Sequence, residues 1–220
     1  ENNCFMNCTS LSKLTIENST NLILCKNAFK NCKKLESINF NVIKELRIDD
    51  ECFIGTSIKT IVIQGETIKI GNNCFKNCKS ILSFMIPLAI NVDLGSSTFE
   101  GCPNIQTVKI DAASKLKILD RCFYGDKNLS IVQFNCNELI VGKYSFYNCA
   151  SISSISLPNS VKVVFDDNAF EYCVGISTID ITAQSEFQAG INCFYRASKL
   201  DSVHITSEKV AIFCSCFNGC

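Results

Sequence analysis

The sequence predicts an α/β solenoid: a right-handed coil with a parallel β-sheet on its concave side, and short helical turns and a second short strand on its convex side. Three observations predict it. Phenylalanine recurs at positions 5, 29, 53, 75, 99, 123, 146, 170, 194 and 217. That spacing of roughly 22–24 residues is nearly constant, and a fixed period of this size marks a stacked-repeat architecture. A triplet of apolar residues follows each Phe at a constant offset. A second apolar pair precedes the next Phe, also at a constant offset. Together they predict about nine repeats of roughly 22–24 residues each, in one domain over positions 1–220.

The Phe is the anchor of each unit. Two residues before it stands Asn3, Asn27, Asn73, Ser97, Asn168, Asn192 or Ser215. Asn and Ser at that place predict the N-cap of a single helical turn. Two residues after it stands Asn7, Asn31, Gly55, Asn77, Gly101, Gly125, Asn148 or Gly219, which predicts a left-handed residue ending the turn. Next come the triplets, as in Leu35/Ile38/Phe40 and Ile105/Val108/Ile110. Their last two members alternate with period two, so the segment reads as a strand with one buried face. The repeat at Phe53 keeps the pattern one residue early, as Ile58/Ile61/Ile63. Pairs such as Leu46/Ile48 and Val163/Phe165 form the second extended segment. One such coil cannot bury its Phe alone, and stacked coils can. Strands about 4.8 Å apart would give nine of them a sheet roughly 40 Å long.

The unit N-x-F-x-x-C-x-x-L-x-x-I-x-I is best seen in residues 27–40, NAFKNCKKLESINF, and 168–181, NAFEYCVGISTIDI. It resembles the Treponema-type class of leucine-rich repeats carried by BspA-like surface proteins. The resemblance covers essentially the whole chain and makes the predicted fold a leucine-rich-repeat solenoid. It departs from ordinary leucine-rich repeats, whose ladder Asn or Cys position holds Ser19, Ile43, Ala89, Ala113, Asn137 and Ser160 here. BspA-like proteins are surface adhesins and interaction proteins, so the resemblance implies a recognition or adhesion module at the cell surface.

Composition excludes several other classes. Lys and Arg number 21 against 21 Asp and Glu, so no charge excess favours nucleic acid. No stretch reaches the roughly 18 consecutive apolar residues of a membrane helix. Thirteen of the 16 cysteines fall in two columns, directly before the Phe and three residues after it. There Cys trades places with Ala, Ser, Thr and Asp. That exchange suits a small slot in a packed wall, not a metal ligand or a redox pair. Disulfides, if any, would join neighbouring coils at Cys8/Cys32, Cys78/Cys102 or Cys149/Cys173. Cys25, Cys136 and Cys214, outside the columns, are the expected reactive thiols. No cofactor is expected.

Residues between the buried strand positions point outward. Thr15, Asn39, Val62, Met85, Lys109, Gln133, Ser156, Asp180 and His204 form one column, and Ile131 lies beside it. Extended concave surfaces of this kind bind partners. The expected function is non-catalytic binding of a protein or glycan through this face, at a cell surface or secreted. The alternative is an intracellular interaction scaffold, supported by the load of cysteines. An enzyme would have to use His204, the only histidine, with Asp180 beside it and any of many serines. No pocket-forming or phosphate-cradling motif accompanies them. The chain begins and ends within a repeat, which predicts flanking repeats in a longer protein or end-to-end self-association.

Overall fold

The computed structural model describes residues 1–220. Ten strands form a single parallel sheet: β1 (Lys13–Leu24), β2 (Ser37–Ile48), β3 (Thr60–Gln64), β4 (Thr67–Ile70), β5 (Ser83–Leu94), β6 (Thr107–Ile118), β7 (Ile131–Val141), β8 (Ser154–Phe165), β9 (Thr178–Ala189) and β10 (Ser202–Ile212). Their order in space is β1-β2-β3-β5-β6-β7-β8-β9-β10, with β4 between β2 and β5 beside β3. The chain is a parallel solenoid of about eight turns between its first and last strand-bearing coils.

Two predicted details are corrected. The second strand is not a separate convex element. In all but one coil it continues the first as a single long strand, as in β1 and β7. That strand bends at a corner where the pairing register shifts, as between Ile86 and Asn91. Only the shortened coil breaks into two pieces, β3 and β4. The helical turns are absent too, so the fold is all-β and not α/β. Chained hydrogen-bonded turns replace them: Ala28 N–H donates to Cys25 C=O and Cys32 N–H to Phe29 C=O, both at 3.1 Å.

The reason lies in where the amides go. An α-turn would spend each N–H on a carbonyl four residues back in the same turn. Here the N–H of Phe29 donates to Cys52 C=O of the next coil at 2.8 Å, and that of Asn31 to Ile54 C=O at 2.9 Å. Alternate amides must therefore point along the solenoid axis, which requires peptide flips. Left-handed residues supply them on both sides of the Phe. The position two before it has φ of 54° to 63°, and the position two after has φ of 56° to 78°. The predicted N-caps are thus left-handed residues, the third position of a type II turn. The predicted left-handed stops are found as expected.

Sixty buried residues form one continuous core. Its spine is the Phe column, with nine successive ring pairs stacked at 5.0–5.4 Å and within 14° of parallel. Phe53, Phe75, Phe99, Phe123 and Phe146 are wholly buried, whereas Phe5 at the first coil is 49% exposed because no coil covers it.

Candidate functional site

The outward column forms a ladder across the sheet. Thr15 pairs with Asn39, Asn39 with Val62, Val62 with Met85, Met85 with Lys109 and Lys109 with Gln133. Ser156 pairs with Asp180 and Asp180 with His204. Parallel register alone places these side chains about one strand spacing apart. Val62 and Met85, expected as exposed apolar residues, are half-buried between their neighbours, while Ile131 remains exposed. Asp180 and His204 are adjacent in register, and the contact of the imidazole is Thr206 Oγ1, 3.4 Å from Nε2.

The ladder is interrupted between Gln133 and Ser156. Strands β7 and β8 pair only over Glu138–Val141 with Lys162–Phe165, so their first halves stand apart. A slit of about 370 Å³ opens there, walled by Ile131, Gln133, Ser154 and Ser156. Val132 and Phe134 lose the complete burial that their counterparts Val108 and Ile110 keep.

A second feature is not among the sequence expectations. Beside the shortened coil, at the bend of the strands, lies an apolar recess of about 510 Å³ lined by residues including Ile43, Gly65, Pro87, Leu88, Ile90 and Ala113. Gln64–Glu66, part of its lining, joins β3 to β4 in the shortened coil, between the uninterrupted 12-residue strands β2 and β5. Leu88 is 73% exposed on its rim and Ile43 56%. The signal is present in the sequence: a repeat two residues short, with apolar residues at the corners on both sides.

The cysteine columns are structural. Thiols three residues after the Phe donate to the preceding coil's Phe carbonyl: Cys32 to Phe5, Cys78 to Phe53, Cys102 to Phe75, Cys149 to Phe123 and Cys173 to Phe146, at 3.0–3.2 Å. Directly before the Phe, Ser145 Oγ lies 2.8 Å from both the Leu119 and Gly142 carbonyls, either of which can accept its single proton. All sixteen cysteines are free. In the pairs considered for disulfides, Cys32, Cys78, Cys102, Cys149 and Cys173 spend their thiols on these carbonyls instead. Burial pushes the Cys52 and Cys173 thiols up to about 12. Cys136, expected to be reactive, is buried as well and pushed to about 12, because it lies under the β7 corner. No three His, Cys, Asp or Glu side chains are grouped to hold a metal ion, and no helix is long and apolar enough to cross a membrane.

Comparison with known proteins agrees with this geometry. A family model, the BspA type leucine rich repeat region, matches residues 1–130 and 116–220 in six copies. Among solved structures, a leucine-rich repeat protein from Bacteroides ovatus ATCC 8483 is similar at TM-score 0.52 and 20% identity, over 96% of this chain and 66% of that one. A leucine rich cell surface protein from Faecalibacterium prausnitzii A2-165 is similar at TM-score 0.46 and 18% identity, over 91% of this chain and 61% of that one. The chain therefore spans just under two thirds of either. No curated protein matches it. With the family model matching from the first residue to the last, the chain belongs to the BspA type leucine-rich repeat family.

Proposed function

We propose that the chain is a non-catalytic recognition module at a cell surface, binding a protein or glycan through the outward column of the sheet. The observation that carries this reading is the in-register ladder from Thr15 to Gln133, a wide face of mostly polar side chains on a rigid core, with an apolar recess at its edge. Membership of the BspA type family supports the location. Lys109, Gln133, Ser156, Asp180 and His204 would supply polar contacts. Met85, Ile131 and the recess at Leu88 would anchor apolar groups, since a few well-packed residues dominate most interfaces.

Binding screens with defined proteins and glycans test this. Met85→Ala, Lys109→Ala and Leu88→Asp are expected to weaken a specific partner at least tenfold with the fold intact. A partner whose affinity ignores all three would sink the assignment to this face. The sixteen free thiols favour a second reading, an interaction scaffold inside the cell, where thiols stay reduced. Antibody labelling of intact against permeabilised cells separates the two: signal only after permeabilisation would overturn the surface reading.

A further inference from the structure

All five tyrosines of the chain lie on the turn side of the solenoid, away from the sheet face. They form one connected row over four successive coils. Tyr124 stacks on Tyr147 at 4.7 Å, Tyr147 meets Tyr144 and Tyr172 edge-on at 5.9 and 5.5 Å, and Tyr172 meets Tyr195 at 5.9 Å. The Arg121 guanidinium lies over Tyr124 at 4.1 Å, and that of Arg196 is 5.4 Å from Tyr195 and 5.8 Å from Tyr172.

Several of these residues break the local rule of the coil. The position two after the Phe is left-handed and holds Asn or Gly in eight coils. Tyr172 and Arg196 occupy it in the other two, each at φ 59°. Arg121 and Tyr144 do the same two before the Phe, at 58° and 57°, where Asn or Ser is usual. Glu51 is the one further exception. Bulky side chains are disfavoured in this region. Departures from local consistency gather at functional sites, and here all but Glu51 gather in one row.

At its end the row walls a depression of about 420 Å³, whose lining includes Tyr172, Val174, Tyr195, Arg196 and Gly219. Gly219 leaves room for the arginine stem: a Cβ there would lie 3.2 Å from Arg196 Cγ. Arg121 is paired with Glu100 and Lys143 with Asp167. Arg196 has no carboxylate partner; its Nε donates to the Tyr195 hydroxyl at 3.2 Å. An uncompensated guanidinium fixed between aromatic rings is suited to a planar anionic group. Val174 apart, the walls are tyrosine rings and polar groups of Arg196, Ser198 and Asn218, amphipathic surfaces that suit a sugar ring more than an aliphatic anchor.

We propose that the pocket at Tyr172, Tyr195 and Arg196 binds an acidic saccharide, its ring on a tyrosine face and its anionic group on Arg196. Tyr147 and Tyr124, one coil further each, continue the platform for a longer chain. The site lies apart from the sheet face and stands whether or not that face binds anything.

The chain has no tryptophan, so its tyrosine fluorescence comes from this row alone. Titrations of the full chain with an oligogalacturonate, a heparin-derived hexasaccharide, neutral maltohexaose and a poly-glutamate peptide test the site. An acidic saccharide is expected to change tyrosine emission and to bind at least tenfold more tightly than maltohexaose, and comparison of the first two probes shows whether sulfate adds to what carboxylate alone provides. Arg196→Gln should abolish that preference. Tyr172→Asn restores the residue type usual at its position, so it should weaken binding while leaving Tm unchanged or higher. The proposal is overturned if neither acidic saccharide binds, if binding ignores the Arg196 charge, or if poly-glutamate binds as tightly through the same residues.

Discussion

Asp126 is the most informative single residue. It occupies the column three after the Phe, where other coils place Cys, Thr or Ala, and it is fully buried. Its Oδ1 accepts the Cys102 N–H at 3.1 Å, while Oδ2 has no partner. Burial raises its pKa from 3.8 to about 8. The folded state thus holds a proton that the unfolded chain releases near pH 4. Stability from this group is fully present below that pH and is lost as pH rises through about 8. Replacing it with Cys, the usual occupant, should stabilise the protein by about 1–3 kcal/mol near neutral pH and flatten its pH dependence. Urea titrations at pH 5 and pH 9 check this, and an unchanged pH slope would show that Asp126 is not the responsible group. The thiols give a second test at this scale. Eleven cysteines are buried, and five are exposed or half-exposed. A thiol reagent should label only Cys4, Cys8, Cys25, Cys214 and Cys220 quickly in the native protein, and all sixteen in denaturant.

Among the elements, the Phe column and the turn are separable. Phe99→Ala removes a wholly buried ring stacked on both sides and should cost about 3–5 kcal/mol. Phe5→Ala, half-exposed at an end, should cost about 1 kcal/mol or less. Equal losses in denaturant unfolding would contradict the stacked-column account. In the turn, Asn148 is left-handed at φ 56°, so Asn148→Ala should cost about 1–2 kcal/mol and Asn148→Gly much less. The turn is only partly legible in the sequence. The position after the Phe reads correctly, because Asn alternates with Gly there and only a left-handed φ accounts for that pairing. The position before it misleads, because Asn and Ser serve N-caps and left-handed turns alike. Composition cannot choose between them; the amide that crosses to the next coil does.

For the whole molecule, stability should follow nearest-neighbour stacking, and the β7–β8 slit is the weak joint. Amides of Val132–Asn135 and Ile155–Leu157 should exchange with solvent faster than their counterparts in β5 and β6. Equal protection in hydrogen exchange would show the slit closed in solution. The open edge of β10, where Val203, Val210 and Ile212 are 43–50% exposed, predicts self-association of the 1–220 chain. Sedimentation over a wide concentration range checks it, and a strictly monomeric chain would refute it.

Period, core identity and strand face are all readable from the chain alone. They follow from which residues are apolar at fixed offsets, and every coil repeats the same constraint. The remaining features come from neighbours in space. Helical turns give way to left-handed reversals, because backbone amides are satisfied by the next coil. Two strands merge into one bent strand, a slit opens between β7 and β8, and a recess forms beside the shortened coil. Five tyrosines are drawn into one row. Each of these depends on what lies one coil away, a full repeat along the chain, where no local pattern reports.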